Sequence, residues 1–324
     1  NAAGPLKSPL TGSVTKLDDR IERHIENVMA LDLVNVDAIR ELRPKVVIDA
    51  INGAGSEALP AFLERIGCEV IPLNCNNDGN FVHTPEPLPE NLMELRKTVS
   101  RTGADIGIAT DPDADRLAVI DAVGNPLVEE YTLVLAAYHA LRHAAEDDRR
   151  PLVTNLSSTK ALDDLAERYG RRVLRTPVGE IHVARKMQQL DTLIGGEGNG
   201  GVILAESHLG RDSLVASGLI LSLMAETKQS IREIADDLPR YEMVKDKINV
   251  QGYQPADILR SLAEKYASLV PNLEDGVKIS WKDRWVHFRA SNTEPIVRIF
   301  AEGSSQTVAA SLVNEFKTEI QDLL

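Results

Sequence analysis

The feature that most restricts this chain is an order of segments that occurs twice. "KVVIDAI" (45–51) is a short β-branched run, followed by the turn-rich "NGAGS", the helical "EALPAFLERIG" and a second apolar run, "CEVIPLN" (68–74). The same order returns in "PLVTNLSS" (151–158), "TKALDDLAERYG" and "RRVLRTPV", and Gly67 and Gly170 each close the helix three residues before a strand valine. Strand, helix and strand at this spacing make a β-α-β unit with parallel strands. Two such units imply two related α/β domains with mixed sheets. From residue 241 the pattern changes. "YEMVKDKINV", "GVKISW", "WVHFRA" and "IVRIFAE" read as strands, with helices at "PADILRSLAEKYASL" and at the C-terminal end. That alternation predicts a smaller α+β domain. The expected division is 18–126, 127–240 and 241–324.

"GIATDPDADRLAVID" (107–121) places Asp111, Asp113 and Asp115 at every second position between two apolar runs, with Arg116 directly after them. Pro112 breaks regular structure there, so three carboxylates crowd the turn at a strand end. Their mutual repulsion is relieved by a hard divalent cation such as Mg²⁺, which takes oxygen ligands. A solvated acidic turn is the plainer alternative. An EF-hand is excluded, because its sixth and twelfth loop positions would be Arg116 and Ala122 where glycine and glutamate are required. A phosphatase that uses an aspartate nucleophile also carries two aspartates two residues apart after a strand. The third aspartate followed by arginine does not fit that pattern.

Two further loops carry polar groups on tight turns. "LIGGEGNGGVI" (193–203) packs five glycines around Glu197 and Asn199. Glycines let a backbone approach a ligand closely, and a glutamate with an amide on such a turn suits vicinal hydroxyls. The spacing is not that of a dinucleotide fingerprint. In "FRASNTEPIVRIF" (288–300), Arg289, Ser291, Asn292 and Thr293 follow a strand and end at Glu294-Pro295. An arginine fork, two hydroxyls, an amide and turn N–H groups converge well on phosphate oxygens.

Bulk properties narrow the partners. With 43% hydrophobic and 26% charged residues, the composition is that of a soluble globular protein. A formal charge of −13 argues against nucleic acid, which needs a basic face, but not against a small anionic substrate held by a few arginines. Cys68 and Cys75 are the only cysteines, so no disulfide framework is implied and the cytoplasm is the expected setting. No apolar run approaches the roughly 20 residues of a membrane helix.

Together, "DPDADR", "GGEGNGG" and "RASNTEP", in this order, resemble the loops of the α-D-phosphohexomutase family of phosphoglucomutases, phosphomannomutases and phosphoglucosamine mutases. "DAINGAGS" and "NNDGNF" resemble the family's second domain. The resemblance runs from about residue 18 to the end. It implies interconversion of hexose 1-phosphate and hexose 6-phosphate through a phosphoserine and a hexose bisphosphate. Asp111, Asp113 and Asp115 would hold Mg²⁺, and Arg116 would add positive charge near the transferring phosphoryl group. Glu197 and Asn199 would read sugar hydroxyls. Arg289, Ser291, Asn292 and Thr293 would hold the non-reacting phosphate. "TPVGE" (176–180) resembles a further sugar-contacting loop, with Glu180 as its polar contact.

Two departures stand beside this. The family's serine motif, Thr-Ala-Ser-His-Asn-Pro or a close relative, does not occur in the chain; "GPLKSPLTGS" contains serines but no such pattern. The expectation is therefore domains two to four, with 1–17 a remnant of the first domain or a linker, and an isolated chain that is inert or nearly so. Many relatives also carry Ser-Gly-His where this chain has Asn199-Gly200-Gly201, so the general acid or base is unassigned. A non-catalytic phosphosugar-binding protein stays open as an alternative, as does the aspartate phosphatase. Glucose, mannose and glucosamine phosphates all share what these loops would touch.

Overall fold

The structure, a computed structural model, describes residues 13, 15, 19–291 and 294–323. In the first α/β unit, the helices α1 (Arg20–Met29) and α2 (Val36–Leu42) precede a sheet of β1 (Lys45–Asp49), β2 (Glu69–Leu73), β3 (Ile106–Thr110) and β4 (Leu117–Asp121). α3 (Gly55–Arg65) and α4 (Met93–Thr102) supply the crossovers. The strand order is β2-β1-β3-β4, parallel except for β4, which runs antiparallel to β3. Val46, Val47 and Ile48 are all buried, as expected of a strand covered on both faces. Gly67 turns the chain from α3 into β2 at φ 104°, where an added Cβ would also lie 2.6 Å from Arg40 Cγ.

The second unit repeats the plan. α5 (Glu130–His143) leads into β5 (Leu152–Asn155), α6 (Ala161–Arg168), β6 (Val173–Thr176), α7 (Glu180–Gln189), β7 (Gly195–Glu197) and β8 (Gly201–Ile203). Its sheet order is β6-β5-β7-β8, again parallel with one antiparallel strand at the edge. α8 (Ser213–Thr227) and α9 (Ile231–Asp236) close the unit. The "SLVASGLILSLMAET" of α8 is apolar on every side. Such a helix must be buried all round, and α8 packs against α5 of its own unit and α1, α2 and α3 of the first.

The third unit is an antiparallel sheet of β9 (Glu242–Asn249), β10 (Val277–Ser280), β11 (Trp285–Ala290) and β12 (Ile296–Gly303), in the order β10-β11-β12-β9. α10 (Pro255–Lys265) and α11 (Gln306–Leu323) cover it over a separate core that includes Phe288 and Phe316. The expected fold class, two related mixed-sheet α/β units followed by a smaller α+β unit, is what the chain adopts. Among the described residues, no helix is long and apolar enough to cross a membrane.

Candidate active site

The three aspartates lie on the hairpin between β3 and β4. Ala114 takes φ 59°, a left-handed conformation that doubles the chain back within four residues of Asp111. The N–H groups of Asp115 and Arg116 both donate to Asp111 Oδ1, at 3.1 and 3.0 Å. Arg116 Nε donates to Asp111 Oδ2 at 2.6 Å, and its Nη1 to Glu86 at 2.8 Å. Asp111 is buried and Asp113 exposed, and one oxygen from each of the three aspartates lies within 4.8 Å of the others.

Their protonation follows this arrangement. Asp111 sits below its usual range because the hydrogen bonds from Arg116 outweigh burial. Asp115 is pushed up to about 6 by burial and then by the charge of Asp111. Asp113 is raised for the same reasons. Asp115 Oδ1 is buried without a hydrogen bond, 3.7 Å from Arg116 Nε. An orphaned carboxylate oxygen facing two more carboxylates fits a hard divalent cation, which the donor set would hold through oxygen alone.

The glycine-rich loop is the tight hairpin between β7 and β8. Gly201 pairs with Arg116 as an isolated bridge, and Leu117 N–H donates to the Gly200 carbonyl at 3.0 Å. The aspartate hairpin and the glycine hairpin therefore lie edge to edge, across the boundary between the two α/β units. Asn199 Oδ1 accepts from Gly201 N–H at 3.3 Å, which braces the turn. Glu197 is buried. Its Oε1 accepts from Asn155 Nδ2 at 2.8 Å and from Gly179 N–H at 3.0 Å.

Arg211 joins these loops, and no pattern in the sequence singled it out. It donates to Asp115 through Nη2 and to Glu197 through Nη1, the latter at 2.9 Å. Its Nε stands 3.5 Å from Glu180 Oε2 without the alignment of a hydrogen bond, while its own N–H donates to Glu180 Oε1 at 2.9 Å. A Cβ at Gly201 would fall 2.1 Å from Arg211 Cδ, so the glycine makes room for this side chain. Asp212 was detectable as an N-cap before an apolar run; it accepts from Leu214 and Val215 N–H. Nothing local marked Arg211, because its three partners come from distant segments.

Arg289 lies within β11, the strand read at "WVHFRA", and not after it, opposite Arg298 and with Ala290 opposite Val297. The ladder extends because Ser291 N–H still donates to the Ile296 carbonyl. Arg289 Nε is 2.9 Å from Asp275 Oδ2, a close ion contact that lacks hydrogen-bond alignment. Asp275 Oδ2 also accepts from Val178 N–H at 2.9 Å, which ties the third unit to the "TPVGE" turn. Asn292 and Thr293 lie outside the described residues.

Comparison with known proteins agrees with this geometry. Three models of phosphoglucomutase/phosphomannomutase match in succession: alpha/beta/alpha domain II over residues 22–124, alpha/beta/alpha domain III over 129–241 and the C-terminal domain over 243–319. A phosphoglucomutase/phosphomannomutase of Thermococcus kodakarensis is 41% identical over 295 residues, which are 90% of this chain and 63% of that protein. A phosphoglucosamine/phosphogalactosamine mutase of Sulfurisphaera tokodaii is 33% identical, covering 97% of this chain and 69% of its own. The crystal structure of a phosphoglucomutase/phosphomannomutase family protein from Burkholderia thailandensis superposes with a TM-score of 0.79 at 26% identity, over 93% of this chain and 64% of that one. This chain thus spans about two thirds of the length of its curated relatives. With the aspartate, glycine and arginine loops falling in three consecutive matched domains, the chain belongs to the phosphoglucomutase/phosphomannomutase family.

Proposed function

We propose that this chain supplies the metal, sugar and phosphate loops of a phosphohexomutase, which interconverts hexose 1-phosphate and hexose 6-phosphate through a phosphoserine and a hexose bisphosphate. One observation carries this above the others. Contacts run without a break from Arg289 through Asp275, the Val178–Gly179 turn and Glu197 to Arg211 and Asp115. This chain of contacts links three loops of different chemistry.

On this reading Glu197, Asn199 and Glu180 take hydroxyls of the sugar. Arg289, Ser291, Asn292 and Thr293 hold the phosphate that is not reacting, whichever end of the sugar carries it. Asp111, Asp113 and Asp115 would hold Mg²⁺, which supplies positive charge against a phosphoryl oxygen. Arg116 adds charge beside it, where a loose transition state spreads charge over equatorial oxygens. Arg211 fixes the spacing between Asp115 and Glu197. The phosphoryl carrier is a serine outside these 324 residues, and the expected setting is the cytoplasm. The isolated chain is then inert or nearly so, but still binds hexose phosphates. The aspartate-phosphatase alternative is disfavoured because a third aspartate and then Arg116 follow the first two, which is not that enzyme's pattern.

Titration calorimetry tests the assignment of the sugar loop. Glucose 6-phosphate is expected to bind, with inorganic phosphate competing. Glu197→Gln should weaken the sugar phosphate roughly tenfold, the loss of about one hydrogen bond to a charged group, and should spare inorganic phosphate. Equal losses for both ligands, or none for either, would remove Glu197 from the sugar site.

A further inference from the structure

Away from the aspartate loop, the described residues contain two more clusters whose ligand atoms lie within 4.8 Å of one another: His24, His208 and Asp212, and His139, His143 and Glu226. The two differ in one respect that decides between them. In the first cluster, Gly210 N–H donates to His208 Nδ1 at 3.1 Å. Nε2 must then carry the hydrogen in the neutral ring, and it already faces Asp212 Oδ2 at 2.8 Å. His24 Nε2 reaches the same oxygen at 2.8 Å. The atoms that face one another there each have a partner.

The second cluster has a group without one. His139 and His143 stand four apart on α5, so they share a face. His139 is 0% exposed, and its Nε2 lies 2.9 Å from the Leu33 carbonyl. A carbonyl can only accept, so Nε2 carries the hydrogen and Nδ1 is left with a bare lone pair. That nitrogen is buried with no hydrogen-bond partner. It points to Glu226 Oε2 of α8 at 4.0 Å, too far for a hydrogen bond. His143 Nε2 lies 2.8 Å from the same oxygen.

We infer that His139 Nδ1, a ring nitrogen of His143 and the carboxylate of Glu226 form a site for a divalent transition metal, Zn²⁺ in the first instance. Two imidazoles and a carboxylate suit zinc, with the fourth position left for water. Ligand atoms of a tetrahedral site stand about 3.3 Å apart at ordinary bond lengths, so shifts on the order of 1 Å close this one. The surroundings are already those of a metal site. The His139 ring is oriented by its bond to Leu33, and Asn35 Nδ2 holds the other oxygen of Glu226 at 2.9 Å. His143 is partly exposed and borders a surface cavity of about 600 Å³, which gives the ion a way in. Leu33 and Asn35 precede and cap α2 of the first unit, whereas the three ligands come from α5 and α8 of the second. The ion would therefore tie α5 to α8 within the second unit, beside its seam with the first and independently of any sugar chemistry.

Calorimetric titration of the metal-stripped chain with Zn²⁺ tests this, with His143→Ala and Glu226→Gln as variants. His143 is on the surface and glutamine keeps the shape of Glu226, so both should fold; circular dichroism checks it. Each is expected to weaken Zn²⁺ at this site at least tenfold. His24→Ala and Asp113→Ala should retain it, and bound Co²⁺ should show the visible bands of a tetrahedral centre that both ligand variants lose. The assignment is overturned if the chain takes up no Zn²⁺. It is equally overturned if His143→Ala and Glu226→Gln bind Zn²⁺ as the parent does, or if only His24→Ala loses it.

Discussion

The two seams of this molecule are built from opposite materials. Between the first and second units one apolar core runs continuously, from Ile25, Val34 and Phe62 to Leu219, Leu221 and Leu238. At Gly218 a Cβ would come within 3.0 Å of Val34 and 3.3 Å of Phe62, so α8 lies directly on the first unit. The third unit keeps its own core. It meets the second through polar contacts: Lys278 Nζ donates to the Leu156 carbonyl at 2.6 Å, Lys160 N–H to Glu302 at 2.8 Å, and Ser157 faces His287 at 2.9 Å. Apolar burial is lost outright when a seam opens. Each polar contact can be exchanged for one with water, at a net cost of about 0.5–1.5 kcal/mol. The first two units should therefore unfold as one body, and the third should be able to part from them at far lower cost.

The largest effect that could break this comparison is a cavity in the apolar seam. Phe62→Ala should destabilise the chain by about 3–5 kcal/mol, and should lower the unfolding transitions of both α/β units together in denaturant melts. Separate transitions, with only the first unit affected, would mean that the core is not shared. Acid should act on the other seam. Burial pushes His287 down to about 4, while its unfolded value is near 6.5. Between those values the unfolded chain takes up a proton that the folded chain refuses. Stability is therefore full above about pH 6.5 and falls by about 3 kcal/mol as pH drops toward 4. His287→Asn should flatten that decline, and an unchanged slope in the variant would remove His287 as its cause. Smallest of the three, Ser157→Ala removes one hydrogen bond to His287 and should cost about 1 kcal/mol. That loss should be confined to the third unit's transition.

What was legible in the sequence follows the same division between local and distant contacts. The strands around "DPDADR", the repeated β-α-β order and the turn at "GGEGNGG" are fixed within short windows by apolar runs and turn residues, and they fold as expected. Arg289 falls within the strand legible at "WVHFRA", but its contact with Asp275 was not legible. Arg211 and Asp275 carried no local mark. Arg211 meets Asp115 from 96 residues away, and Asp275 meets Val178 from 97. The unpaired nitrogen of His139 was equally invisible, because it depends on a carbonyl 106 residues distant. A sequence shows which groups can do chemistry; which of them share a site depends on the seams.

The central claim is that loops on all three units serve one hexose phosphate, with Arg289 reading the phosphate and not the sugar. Calorimetry on Arg289→Lys tests it most directly. Lysine keeps the charge but not the planar fork that grips two oxygens at once. Glucose 1-phosphate, glucose 6-phosphate and inorganic phosphate should all weaken together, by roughly ten- to a hundredfold, the loss of a charge-assisted bond of about 1.5–3 kcal/mol. If Arg289→Lys binds both sugar phosphates as the parent does, the phosphate is held elsewhere and the three loops do not form one site.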